Sequence, residues 1–407
     1  MKKVIMLATY FPPAGGISTF RITKFVKFLP HFSWEPVVLT VREEHYKECG
    51  FLIDNSLVKD VSEDLIIYRT KIGKGPKLLR SFFKRLPTRW LGPLFSIIGQ
   101  VIKDENPSLL FATGDPFFPL LVAPYAKVRY GLDYVIDLRD PWKLAKPDVP
   151  PTSIKGKLFI VANNMLEPIV INRAAKIIVV SEKMAKEYRE AYPKRLPEDF
   201  IVIPNGYDPD DYDSIPAVTA PEFTITYAGK FLFGKSFRDP SYFFNAIKIL
   251  KVRGVHVSFK YIGEVNPDIN KMIEENNLSS QFYPLGYLPY NDTISHMKGS
   301  DILLLIGNGQ ETEQTGKIFD YLGCKQPILA LASQKGGIAD IVRGVEQITL
   351  IENENPNKIA DAIMEFYNNK SYQPLERKNI SQYLRVDLTE KLTNIFQDVI
   401  TKETNLK

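Results

Sequence analysis

Residues Glu311–Leu331 read ETEQTGKIFDYLGCKQPILAL, a polar loop, a short helix and an apolar strand in direct succession. Thr315, Gly316 and Lys317 stand where the helix starts, Asp320 lies one turn inside, and Gly323 is placed to stop it before the strand ILAL. A helix N-terminus offers unpaired backbone N–H groups and the positive end of a dipole, both of which suit a phosphate. A carboxylate one turn further on can hold a sugar hydroxyl, so the segment fits a nucleotide-diphosphate ligand. An ordinary capped helix fits the same letters, and the segment alone does not choose between the two.

Outward from this segment, strands and helices alternate, as in parallel sheets covered by helices. Strands are expected at Val4–Tyr10, Glu35–Thr40, Leu109–Gly114, Tyr134–Asp140, Ile177–Ser181 and Ile201–Asp208. The proline-rich, acidic text from Asp208 to Pro221 reads as a linker. A second series follows, with strands at Phe223–Lys230, His256–Gly263, Asp301–Ile306 and Gln347–Ile351. The expected fold is α/β, two Rossmann-like parallel-sheet domains facing each other across a cleft. Residues 1–212 form the first and residues 222–385 the second, and a final helix at about 386–407 is able to pack back on the first. Ligands of such sheets sit beyond the carboxyl ends of the strands.

The bulk properties fit this picture. The 407 residues are 44% hydrophobic and 24% charged, enough for a sizeable core. The two cysteines, Cys49 and Cys324, and the four scattered histidines form no metal-ligand spacing, and the cysteine usage points to a reducing cytoplasm. Neither a secretory signal nor a run of transmembrane length is read from the letters. Between Lys71 and Arg89 the chain carries cations only, among them Lys74, Lys77, Arg80, Lys84 and Arg85. Leu78, Phe82, Phe83, Trp90, Leu94 and Phe95 are interleaved or follow closely. A basic, aromatic-rich stretch suits an anionic membrane surface, while a solvated helix face or a nucleic-acid patch has the same composition. No nucleic-acid-binding motif accompanies it, which favours the membrane reading.

Four places carry candidate chemistry. Gly15 and Gly16, in the loop TYFPPAGGIS, let backbone approach a ligand at a helix start, but the spaced glycines of a dinucleotide fingerprint are absent, and taken alone the pair reads more readily as a plain tight turn. In IDLRDPW, Asp137, Arg139 and Asp140 stand at a strand end as an acid–base–acid cluster able to position hydroxyls or take a proton; a structural ion pair fits equally. In TYAGKFLFGKSFRDP, Gly229, Lys230, Lys235 and Arg238 follow a strand, and with Lys317 they offer the cations a pyrophosphate needs. The acidic DPDDYD, by contrast, follows an Asn-Gly turn in the linker and reads as turn chemistry more than as a metal site.

Taken in order from Met6 to about Ala332, MLATYFPPAGGIS, IDLRDPW, IIVVSEKMAKEY, VIPNGYD, ITYAGKF and TGKIFDYLG resemble the retaining glycosyltransferases of family 4, which have the GT-B fold. The resemblance implies transfer of a sugar from a nucleotide-sugar donor to a hydroxyl acceptor, a glycan or a lipid-linked one, with retention and with no required metal. It implies that Lys235 or Arg238, with Gly316 and Lys317, neutralises the diphosphate, that Asp320 binds the ribose, and that Gly16 approaches the donor phosphates or the acceptor. It further implies a cytoplasmic enzyme, peripheral on the inner face of the membrane, in polysaccharide or glycolipid synthesis. The family's two glutamates stand eight positions apart; here Asp320 takes the second place and Thr312 the first, with Glu311 and Glu313 beside it. A nucleotide-sugar epimerase on the same fold and a non-catalytic nucleotide-sugar binding subunit are the alternative readings.

Overall fold

In the computed structural model, residues 1–48, 51, 53–73, 86–144, 153–231, 239–307, 315–369 and 374–404 are described. They divide into two units, Met1–Asn205 with Arg385–Lys407, and Gly206–Leu384.

The first unit is built on strands β1 (Lys2–Leu7), β2 (Trp34–Val41), β3 (Ile66–Thr70), β4 (Leu109–Gly114), β5 (Tyr134–Leu138), β6 (Lys176–Val179) and β7 (Phe200–Val202). They form one parallel sheet in the order β3-β2-β1-β4-β5-β6-β7. Strand text such as KKVIML is apolar on consecutive residues because both faces are covered. Val4 and Met6 enter one core layer with Leu388, Leu392 and Phe396 of the terminal helix Arg385–Thr404. Ile5 and Leu7 enter the opposite layer with Trp90, Leu94 and Ile98 of the helix Leu86–Glu105. The alternation of side chains along a strand produces both layers from one hexapeptide.

The second unit holds β8 (Thr224–Ala228), β9 (Ser258–Ile262), β10 (Phe282–Gly286), β11 (Ile302–Ile306), β12 (Ile328–Leu331) and β13 (Ile348–Ile351), in the order β10-β9-β8-β11-β12-β13. Leu304 and Ile306 face the core shared with Phe243 and Ile359, while Leu303 and Leu305 face the core shared with Ile318 and Leu322. In each sheet the strand order reverses once, at β1/β4 and at β8/β11. Crevices at such reversals, beyond the strand carboxyl ends, are where open α/β sheets take ligands.

Three readings of the sequence are corrected. The text DPDDYD is a helical turn, Asp210–Asp213, with Tyr212 only 2% exposed, so it belongs to the second unit's core and not to a loose linker. Asp208 Oδ1 accepts from the Asp210 backbone N–H at 3.2 Å, a local turn bond. Gly323 does not stop its helix, which runs Lys317–Cys324 and ends where Lys325 adopts a left-handed φ of 67°. Trp90 and Leu94, read as membrane-facing aromatics and aliphatics, are wholly buried, because the helix that carries them covers the first sheet.

Candidate functional site

At the reversal of the first sheet, the loop after β1 leads into the helix Ile17–Phe28 through Gly16, whose φ of 96° suits a residue without a side chain. A β-carbon there would meet nothing within 4 Å, so the backbone angle and not crowding calls for glycine. Gly15 is half-buried and Gly16 exposed.

The strand-end cluster of IDLRDPW divides three ways. Asp137 is 0% exposed; its Oδ1 accepts from Arg21 Nη2 at 2.7 Å, and its Oδ2 from Arg21 Nε at 3.0 Å and from Thr113 Oγ1 at 2.8 Å. Arg21 also donates to the carbonyls of Ile203 at 2.9 Å and Pro204 at 2.7 Å. Asp137 therefore pins the helix Ile17–Phe28 and the segment after β7 to the sheet, a structural duty in place of the expected work on hydroxyls. Arg139 donates from Nη1 to the Ser18 carbonyl at 3.0 Å, from Nε to that of Gly114 at 3.2 Å, and to that of Asp115. It ties the start of the helix Ile17–Phe28 to the ends of β4 and β5, and burial lowers its guanidinium pKa from the ordinary value. Asp140 alone of the three is exposed.

The second sheet's reversal gathers more of the expected residues. Gly229 follows β8 with φ 124°, and its backbone N–H donates to the Ile262 carbonyl at 2.7 Å. A β-carbon on Gly229 would lie 2.2 Å from Lys317 Nζ and 2.6 Å from its Cε, so the lysine crosses the strand end through space that glycine leaves. Lys317 Nζ donates to Tyr227 Oη at 2.9 Å and sits 4.2 Å from the centre of that ring. The ring is fixed in turn by Phe231, stacked at 4.4 Å, which itself stacks on Tyr261 at 4.9 Å. Gly316 caps the helix and Thr315 just before it is buried. The ammonium and the helix N-terminus are thus contiguous, and together they suit an anion. Lys230 points into solvent, 72% exposed and 3.6 Å from Glu264.

One turn along the same helix, half-buried Asp320 accepts on Oδ1 from Tyr212 Oη at 2.9 Å and Tyr290 Oη at 3.0 Å. Burial, and then the Asp320 charge, push both phenol pKa values well above their ordinary value. The phenols remain donors at neutral pH and fix the carboxylate's orientation. Lys235, Arg238 and Glu313 lie outside the described residues, as do Lys74, Lys77, Arg80, Lys84 and Arg85.

Sequence reasoning missed Arg21, Tyr212 and Tyr290. Arg21 is far from Asp137 in sequence, and nothing in the letters distinguishes these tyrosines among the twenty of the chain. Tyr227 lay inside the quoted block ITYAGKF, but its part in holding Lys317 needs the strand–helix juxtaposition to be seen.

Comparison with known proteins adds an independent line. Residues 60–211 match the sequence model described as Glycosyltransferase Family 4, and residues 222–369 that described as Glycosyl transferases group 1. An uncharacterized glycosyltransferase of Methanocaldococcus jannaschii is 24% identical, over 96% of this chain and 95% of its own length. Among solved structures, an Anabaena protein in complex with UDP-glucose is similar with TM-score 0.61 and 13% identity, covering 100% of both chains. A UDP-GlcNAc 2-epimerase from Neisseria meningitidis bound to UDP-GlcNAc is similar with TM-score 0.59 and 11% identity, covering 97% of this chain and 100% of that one.

Proposed function

We propose, for a chain that belongs to the GT-B glycosyltransferases and is a nucleotide-sugar-dependent enzyme of that fold, that its donor is a UDP-sugar held by the unit Gly206–Leu384. The observation that carries this reading is Lys317, whose ammonium passes over Gly229 at the mouth of the β8/β11 reversal and at the start of its own helix. In this reading Lys317, Gly316 and Thr315 hold the diphosphate, assisted by Lys230, Lys235 and Arg238. Asp320, oriented by Tyr212 and Tyr290, receives the ribose hydroxyls. UDP-glucose- and UDP-GlcNAc-type donors are suggested by the ligands of the structural neighbours.

The first unit is assigned the acceptor, a lipid-linked or cell-surface glycan, with Gly15, Gly16 and Asp140 at its mouth. Transfer with retention follows if the acceptor hydroxyl attacks C1 from the side that the diphosphate leaves. The C1–O bond to phosphate breaks as the new C1–O bond forms, and the acceptor's proton passes to the departing phosphate oxygen. Asp137 is sealed in its pair with Arg21, which favours the leaving phosphate over that side chain as proton acceptor. No metal has a part in this scheme. The enzyme is placed in the cytoplasm, peripheral on the membrane's inner face, in polysaccharide synthesis, with the cationic run at 71–90 as one contact. Among the described residues, no helix is long and apolar enough to cross a membrane.

Calorimetry with UDP-glucose and UDP-GlcNAc tests the donor site. Lys317→Ala and Asp320→Ala should each weaken binding by about 1.5–3 kcal/mol, the worth of a hydrogen bond to a charged group. Unchanged affinity in both variants would remove the site assignment. The epimerase neighbour keeps a second reading in play. Donor incubated without acceptor should keep its sugar if the chain is a transferase, and interconversion of the sugar would favour the epimerase.

A further inference from the structure

The helix Ile154–Ile171 turns its polar anchors inward. Glu167 is 0% exposed and accepts from the Lys143 backbone N–H at 2.6 Å and from Tyr188 Oη at 3.4 Å, with Tyr192 Oη as a third donor. Asn163 accepts from Trp142 Nε1 at 2.9 Å, and the Val170 carbonyl from Tyr134 Oη at 2.7 Å. Leu166, Val170 and Ile171 join the first unit's core beside these bonds.

The opposite face is a row of uncovered aliphatic side chains. Ile154, Leu158, Val161 and Met165 are 77%, 51%, 52% and 67% exposed, and Ile169 extends the row. The steps between the first four are of four, three and four residues, so they fall within about 60° of arc. A helix laid on a core or a broad surface shows an apolar stripe of about 100° or more, whereas a row this narrow, at a/d spacing, is the seam of a helix pair. Exposed Lys157 and Asn164 border it on one side. Phe159 stands outside the arc, its ring 5.8 Å from that of Phe118.

The size of the face indicates what covers it. Its 18 residues span about 27 Å, and with side chains the helix is about 11 Å across. The outward half therefore presents about 500 Å², and two copies set face to face bury about 1,000 Å² in total, where specific protein interfaces begin. The row itself carries no charge to select a foreign partner, and a two-fold interface asks only that a surface complement itself.

We infer that two copies of this chain pair two-fold and antiparallel through the helix Ile154–Ile171. The pairing sets Val161 of one copy opposite Met165 of the other and opposes the two helix dipoles. It also brings Lys157 to the last turn of the facing helix, where a cation is favoured. Analytical ultracentrifugation of the full chain without sugar nucleotide tests this separately from donor binding. Between about 1 and 100 μM the parent should pass from monomer to dimer, as suits an interface of this size. The double variant Leu158→Glu, Met165→Glu should stay monomeric throughout, with its far-ultraviolet circular dichroism unchanged. A parent that is monomeric over the whole range, or a double variant that pairs as the parent does, overturns the proposal. A monomeric parent that floats with lipid vesicles would give the row to a bilayer instead. Should the glutamate variant fold poorly, Leu158→Ala, Met165→Ala keeps the reading open, because alanine is the best helix former. Its dimer should dissociate at least about tenfold more readily, and an unmoved dissociation constant counts against the pairing.

Discussion

Lys317 occupies the space that a side chain on Gly229 would fill: a β-carbon there would come within 2.2 Å of the lysine's Nζ. The glycine also sits at φ 124°, where side chains are rarely tolerated. One position thus sets both the local backbone and the path of the ammonium.

Gly229→Ala should consequently act twice. Strain at the strand end should cost about 1–3 kcal/mol of stability in urea unfolding. Displacement of the ammonium should weaken UDP-sugar binding about tenfold or more, matching the loss in Lys317→Ala. A variant that keeps full donor affinity would separate Lys317 from the diphosphate.

Asp137→Asn should behave as a structural mutation. Leaving Arg21 buried without its anion costs about 3–5 kcal/mol, visible as an earlier unfolding midpoint. If Asp137 instead served chemistry directly, turnover would collapse with the midpoint unmoved.

Gly323→Ala should destabilise the second unit although glycine is ordinarily a poor helix residue. A β-carbon at this position would lie 2.4 Å from the Tyr212 ring, which is held by Asp320. Overpacking of this kind costs about 1–3 kcal/mol. Donor affinity should fall as well, because a shifted Tyr212 no longer orients Asp320; stability lost with affinity intact would count against that link.

Glu105 supplies a pH signature. The Tyr68 hydroxyl, at 2.6 Å, and then the Lys3 ammonium, at 2.9 Å, hold its carboxyl below the ordinary value of 4.5. A lowered carboxyl binds fewer protons folded than unfolded, so its contribution is present above the ordinary value and is lost as pH falls through the folded one. Glu105→Gln should reduce stability by about 1–3 kcal/mol at neutral pH. The gap to the parent should narrow as pH falls below the ordinary value of 4.5, as followed by urea midpoints. A constant gap across that range would refute the assignment.

The sequence made the alternation of strands and helices legible, because parallel strands such as ILLLI are apolar on every residue and their helices carry periodic stripes. The start of the helix at Lys317 was readable from Thr315 and Gly316 for the same local reason. What escaped was set by distance along the chain. The partners of Asp137 and Asp320, namely Arg21, Tyr212 and Tyr290, lie far off in sequence. Trp90 and Leu94 look amphipathic in their own window and are buried only because a sheet lies beneath them. The helix Ile154–Ile171 was overlooked because its aliphatic letters resemble core.

The terminal helix Arg385–Thr404 carries a consequence for biosynthesis. Phe396 packs edge-on against Trp34 at 5.2 Å and Phe111 at 5.7 Å, closing one face of the first sheet. The ribosome delivers that helix only after every residue of the second unit. The first unit's aromatic face therefore stays uncovered while the second unit is being made, and a stop before Arg385 would leave it unfinished.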